Sequence, residues 1–466
     1  MQTHFPSGDG SDLGVGLVLA PFRGVRYDLS RVGGLANVTS PPYDVIGPGS
    51  LERLLAASPY NVVRLILPAG APGGPAPGGG GPGEAAPGEG ARGTATPGAV
   101  ASARLHDWLA EGVLAVDDVP ALYVYEQRSA GWVQRGLIGL VAVGTDAVHP
   151  HEGVMAGPVA GRRELMKETR TNLEPILLVY NGGAGAAGSG KSAGGSGKGD
   201  ASRLTDLTAD GQAPLACAVT DDGVTHRLWA VTDPGAQAAI TADLATRTAL
   251  IADGHHRYAA YRELRAEMSD ADGDSGPWDY GLAFLVDADE YPLRLGAIHR
   301  VLPRLPLAEA VDRASEAFTV TAVSAATAFD RLAAAGESGT AFLLAGEDGN
   351  WLLTDPDQLQ VAAAMPAAAS DRWRALDASV MQELLLAQLW LIKDNERDVL
   401  ISHDAAEAVR MAADSGGTAV ICNPMPLAAV MDIAAHGEKV PRKSTSFGPK
   451  PRTGVVLRAV DARLAL

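Results

Sequence analysis

Residues 248–261, Thr-Ala-Leu-Ile-Ala-Asp-Gly-His-His-Arg-Tyr-Ala-Ala-Tyr, decide how this chain is read. The first five, TALIA, form a short apolar run of strand length, closed by the turn pair Asp253-Gly254. From His255 the spacing becomes helical through HHRYAAYRELRAEM. A helix that starts directly after a strand has first-turn N–H groups without intrahelical acceptors, at the positive end of its macrodipole. That is the physics of an anion site. Gly254 lets a phosphate approach the backbone, and Arg257 can grip phosphate oxygens with a two-pronged guanidinium. His255 or His256 can supply a further hydrogen bond or a proton, and Asp253 can accept one.

Outward from this unit, strands and helices alternate. ALYVYEQ (121–127) and WVQRGLIGLVAV (132–143) read as a hairpin, as do ACAVT and VTHRLWAV around Asp221-Asp222-Gly223. NVVRLIL (61–67) and EPILLVY (174–180) read as buried strands, and 236–247 as a helix. GLAFLVD and PLRLGAIHR read as a third hairpin. Beyond a boundary placed at 303–305, alanine-rich helices at 306–317, 324–335, 376–392, 404–413 and 426–435 separate strands at 340–345, 350–354, 398–402, 418–422 and 454–460. The expectation is an α/β (α+β) protein, with a mixed-sheet domain over 1–304 and a smaller α/β domain over 305–466. Residues 69–98 and 182–202 are Gly-, Ala-, Pro- and Ser-rich, and read as flexible inserts within the first domain.

Bulk properties narrow the class. The chain has 466 residues, 38 Lys+Arg against 55 Asp+Glu, and a formal net charge of −17. So acidic a balance argues against a general nucleic-acid coat or a basic membrane-surface protein. Two cysteines, Cys217 and Cys422, cannot make a disulfide scaffold and suit a reducing compartment. No apolar run is long enough to span a bilayer, and the N-terminus MQTHFPSGDGSDLG carries no signal-peptide pattern. A cytoplasmic protein is expected.

The segment DGHHRYAAY resembles the phosphate-binding motif of the ParB/sulfiredoxin superfamily, which includes free-serine kinases. The whole chain resembles the DUF1015 family, sometimes labelled ParB-like. The likeness rests on Pro21-Phe22-Arg23-Gly24, Ser40-Pro41-Pro42-Tyr43-Asp44-Val45-Ile46, Asn61 to Leu65, His151-Glu152, Thr169-Arg170 and Pro175-Ile176. It continues through Asp253 to Tyr258, Gly437-Glu438, Pro441 to Thr445 and Phe447 to Gly454. It implies a ParB/sulfiredoxin-like fold for the N-terminal domain and a nucleotide held at the strand–Gly–helix unit. The chain departs from the family pattern at Val154, Val159 and Gly161, where Thr, Lys and Asp are expected.

Three further motifs could carry chemistry. His149-Pro150-His151-Glu152 closes a strand, and Glu152 can act as a general base. The proline pair of Ser40-Pro41-Pro42-Tyr43-Asp44 stiffens a turn that can hold Tyr43 and Asp44 at a site edge. Residues 437–454 carry five basic side chains against one acidic one; Arg442, Lys443, Ser444, Thr445, Lys450 and Arg452 suit an anionic ligand. Gly185 to Ser192 matches the P-loop expression, but AGGSGKGDAS follows it with no helical period, and a true P-loop must feed a helix.

These residues favour a nucleotide-dependent phosphotransferase, a small-molecule kinase using ATP, ADP or CTP with Mg²⁺. Gly254, His255, His256, Arg257, Arg442, Lys443, Ser444 and Lys450 would hold phosphates, and Glu152, Asp253 and His256 would move protons. One alternative is a ParB-like nucleotide-gated protein that binds DNA or a partner protein, although the acidic sequence after Tyr261 argues against nucleic acid. The other is a metal-dependent hydrolase built on the histidines, although no established metal-ligand spacing is present. Oligomeric state is not legible.

Overall fold

A computed structural model describes residues 16–46, 48–68, 95–183, 198–272, 276–395 and 397–460. The P-loop-like match at 185–192 and most of both inserts lie outside them. The described residues divide into two compact units, one drawn from 1–149, 154–293 and 449–466, the other from 150–153 and 294–448. The expected boundary at 303–305 falls within the second stretch.

The first unit is built on a nine-stranded mixed sheet. Its strands are β1 (Leu19–Ala20), β2 (Leu122–Ser129), β3 (Trp132–Ala142), β4 (Val148–His149), β5 (Ile176–Tyr180), β6 (Ala216–Val219), β7 (Thr225–Val231), β8 (Ala249–Asp253) and β9 (Tyr280–Asp287). The order is β4-β8-β5-β9-β3-β2-β7-β6, with β1 on β3. The pairs β8–β4 and β9–β5 are parallel and the others antiparallel. All five residues of β5 and of β8 are buried, so these strands read as continuous apolar runs and not as alternating ones. Helices α1 (Pro97–Ala110), α2 (Ala156–Thr169), α3 (Asp200–Gly211), α4 (Pro234–Leu244) and α5 (His255–Asp272) accompany the sheet. Pro97-Gly98 and Asp200-Ala201-Ser202, expected in the inserts, instead open α1 and α3.

Both antiparallel hairpins, β2–β3 and β6–β7, form as expected. Two local expectations are overturned. The run 61–67 is not a strand: Val63–Ile66 is a helical turn, led in by Asn61, whose Oδ1 accepts from the Val63 N–H at 3.0 Å. The third hairpin does not form either. β9 pairs with β3 and β5, whereas Arg294–Gly296 pairs with Ser446–Gly448.

The second unit holds a six-stranded antiparallel sheet made of β10 (His299–Leu302), β11 (Thr319–Val323), β12 (Phe342–Gly346), β13 (Gly349–Thr354), β14 (Leu400–Ser402) and β15 (Thr418–Cys422), in the order β11-β13-β12-β15-β10-β14. Helices α6 (Leu307–Ala314), α7 (Ala328–Gly336), α8 (Ala405–Ser415) and α9 (Leu427–Ala435) fall on the expected spans, α7 running one residue and α8 two residues beyond its span. Over Val380–Leu389 the expected helix has π geometry. The strand expected at 454–460 shrinks to Arg458–Ala459, paired with Thr171–Asn172 in the first unit's own sequence. No helix among the described residues is long and apolar enough to cross a membrane.

Candidate functional site

The strand–Gly–helix unit forms as expected: β8 ends at Asp253 and α5 begins at His255. A register shift against β5 lies between Ile251 and Asp253, a bulge of the kind that re-aims a side chain at a strand end. Gly254 has φ +93°, and a Cβ there would stand 2.9 Å from Ile176 Cγ2 and 3.1 Å from the Arg257 guanidinium. Both the backbone and the space require glycine. Gly254→Ala is therefore expected to cost about 1–3 kcal/mol through strain alone. A urea melt showing no loss would refute this.

Arg257 does not face outward as a phosphate fork. It is 2% exposed; Nη2 lies 2.5 Å from Asp253 Oδ2, and Nη1 donates to the Pro175 carbonyl at 2.5 Å. The i, i+4 pair ties the last residue of β8 to the first turn of α5, so Arg257 fixes the junction from inside. Burial opposes its charge, but Glu174, Asp253 and Asp44 outweigh it and hold the guanidinium firmly protonated.

Lys450 takes the place expected of a cation at this corner. Its Nζ lies 2.6 Å from Asp253 Oδ1 and 2.6 Å from Asp44 Oδ2. Burial lowers its proton affinity, but the two carboxylates more than offset that and raise it. Burial likewise raises the Asp44 carboxyl, yet Lys450 and Arg257 carry it below its ordinary value. Glu174, 4% exposed, accepts from the Tyr43 N–H and the Thr453 hydroxyl, both at 3.2 Å, and lies 3.6 Å from Arg162 Nη1. Arg162 in turn sits 4.2 Å over the Tyr43 ring, whose hydroxyl burial pushes up to about 12. The rigid Ser40–Asp44 turn is thus a wall of the site, and Arg257, Lys450 and Arg162 are matched by Asp253, Asp44 and Glu174.

His255 is the first residue of α5. His256 Nε2 accepts from the Met155 N–H at 3.1 Å, which makes that nitrogen unprotonated and the imidazole neutral in this geometry. The remaining expected residues lie in the second unit. Glu152 Oε1 accepts from the Lys443 N–H at 3.1 Å, Arg442 pairs with Asp394 at 3.3 Å, and the Ser444 hydroxyl donates to the Pro441 carbonyl at 2.6 Å. Lys443 has φ +55°, uncommon for a residue with a side chain. Asp253, Gly254, His255, His256, Arg257 and Lys450 are therefore gathered in one unit, and Glu152, Arg442, Lys443 and Ser444 in the other.

Glu174 was not foreseen, although a carboxylate opening a buried apolar run is a readable signal. Thr39, Tyr125 and His226, which contact the 449–453 segment directly or through one another, carry no local signal at all.

The fold and this corner define a mixed α/β protein in which a strand–Gly–helix junction is locked by a balanced set of cations and carboxylates. The chain belongs to the DUF1015 family, described as a protein of unknown function, whose profile matches residues 19–379. Solved structures similar to this chain include a free serine kinase in complex with AMP, 16% identical, covering 65% of this chain and 84% of that one, TM-score 0.31. SbnI with a C-terminal truncation from Staphylococcus aureus is 11% identical, covering 67% and 82%, TM-score 0.33. A conserved hypothetical protein from Pyrococcus furiosus is 14% identical, covering 67% and 90%, TM-score 0.31. No curated protein matches the chain.

Proposed function

We propose that the protein is a nucleotide-dependent phosphotransferase that moves the terminal phosphoryl group of ATP, ADP or CTP to a small hydroxyl compound. The observation that carries this reading is the position of Lys450, whose Nζ is 2.6 Å from both Asp44 and Asp253 beside the first turn of α5. Backbone N–H groups of that turn and a fixed ammonium make a donor set suited to phosphate oxygens. The acceptor hydroxyl oxygen attacks the terminal phosphorus as the bond to the leaving nucleotide breaks, and the hydroxyl proton passes to a carboxylate.

Asp253 has a cation on each oxygen, so its part is to hold Lys450 and Arg257 in place. Asp44, the more exposed partner of Lys450 and with a cation on one oxygen only, is the better placed of the two to take the proton. His256, neutral toward Met155, serves to position. Mg²⁺ accompanying the nucleotide would neutralise phosphate charge and takes one or two carboxylates at most, which Asp44 suits. Among the described residues no three His, Cys, Asp or Glu side chains gather as a dedicated metal site, and the metal-hydrolase reading has no further support. The DNA-binding reading requires a recognition helix after the motif. Instead α5 is followed by a short turn at Pro277–Asp279 and by β9.

Incubating the purified protein with ATP, ADP or CTP and a panel of hydroxy amino acids, and following nucleotide conversion, tests the reading. Lys450→Met is expected to lower turnover by a factor on the order of 10²–10³. Asp44→Asn, assayed alongside, tests the part of Asp44 as proton acceptor. Absence of nucleotide binding and turnover by the wild-type protein ends the reading.

A further inference from the structure

Lys450 is matched by two carboxylates and Arg257 by Asp253, whereas Arg452 has no such partner. Among the described residues no carboxylate lies within ion-pair distance of Arg452. Its guanidinium instead donates through Nε to the Thr39 hydroxyl at 2.8 Å and through Nη2 to the Thr39 carbonyl at 3.3 Å. Asp221 and Asp222, on the β6–β7 turn, act on it only at longer range. A partly buried cation with no counter-ion bears a desolvation cost that an incoming anion can relieve.

The cation is also held still. Thr39 is 1% exposed, and its hydroxyl donates to the Leu35 carbonyl at 2.8 Å. Thr453, the next residue, bridges to Ser40 of the same turn. The Arg452 N–H donates to the Tyr125 hydroxyl at 3.3 Å, and the direction of the bonds behind it is fixed from the far end, where the Asp222 carboxylate can only accept and so takes the single Thr220 hydroxyl proton. The Tyr125 hydroxyl must donate to His226 Nδ1 at 2.8 Å, and His226 Nε2–H to the Thr220 hydroxyl at 3.1 Å. Thr220 in turn donates to Asp222 Oδ1 at 2.5 Å. Tyr125 is 0% and His226 3% exposed, so the line runs through the interior from a surface carboxylate to the backbone of residue 452. Such an arrangement pre-sets an arginine without neutralising it.

We infer that Arg452 is the anion-receiving residue of this unit, binding a phosphate group of the ligand, and that the Tyr125–His226–Thr220–Asp222 line positions it. This rests on the reading of the protein as phosphate-binding and moves the anion contact from Arg257 to Arg452. One charge-assisted contact of this kind corresponds to about 10- to 100-fold in affinity.

Titration calorimetry with inorganic pyrophosphate and with ADP tests it on the full chain. Arg452→Gln is expected to weaken both ligands about 10- to 100-fold, with a thermal midpoint close to wild type. Arg452→Lys, which keeps the charge and guards against misfolding, should recover part of the loss, and Tyr125→Phe should show a smaller loss in the same direction. Undiminished binding by Arg452→Gln, with loss in Lys450→Met, would overturn this inference alone. Failure of the wild-type protein to bind either probe would overturn it together with the phosphotransferase reading.

Discussion

Asp253→Ala is expected to destabilise the first unit by about 3–5 kcal/mol, because it leaves the Arg257 guanidinium, 2% exposed, buried without its carboxylate. The Pro175 carbonyl remains as a hydrogen-bond acceptor, and Glu174 and Asp44 still act on the guanidinium from further off, but the carboxylate in direct contact with it is gone. Lys450 loses one of its two carboxylates at the same time and turns wholly to Asp44. For a unit of this size the loss corresponds to a fall in melting temperature on the order of 10 °C. The double variant Asp253→Ala/Arg257→Met removes both charges and should be more stable than Asp253→Ala by at least about 1 kcal/mol. Urea unfolding of wild type, both single variants and the double variant closes the cycle. Strict additivity, or a cost below about 1 kcal/mol for Asp253→Ala, would mean that the pair does not hold the junction.

That pair shows what could and could not be read from residue order. Strand, glycine and helix were legible at 248–261, because an apolar run, a turn pair and a helical period follow one another without a gap. The i, i+4 spacing of Asp253 and Arg257 was equally visible, and it could have announced an inward pair; the pull of a phosphate motif favoured the outward reading. The 61–67 run misleads for another reason. Every position of a fully buried segment can be apolar, so periodicity is lost, and Asn61 decides the matter by accepting from the Val63 N–H and donating to the Asn37 and Thr39 carbonyls. The third hairpin fails because β9 finds better partners in β3 and β5, far away in sequence. Asp44, Tyr43 and Lys450 each stood out as candidates, but their convergence is set by pairings such as Ser40 with Thr453, which local pattern cannot encode.

Acidification should expose the buried histidines before it touches the carboxylate–cation corner. Burial, aided by the charge of Arg452, lowers His226 from 6.5 to about 4. Burial in the second unit also lowers His299 to about 4, its Nδ1 accepting from the Cys422 N–H at 3.2 Å. A histidine whose folded-state proton affinity is depressed binds fewer protons folded than unfolded across this window. Stability is therefore full above about pH 6.5 and falls as pH drops toward 4, by about 3 kcal/mol for each such group. Asp44 works in the opposite sense and in another window. Its carboxyl is held below 3.8, so its contribution is present above that value and is lost only at still lower pH. Urea midpoints at pH 7.0, 5.5 and 4.5 should thus fall steadily, with Lys450 still paired to Asp44. In His226→Gln the midpoint at pH 7.0 should be lower, since the Tyr125–Thr220 line is disturbed, but the slope of the first unit between pH 6.5 and 4.5 should flatten. An unchanged slope would show that protonation of this imidazole is not what the buried line resists.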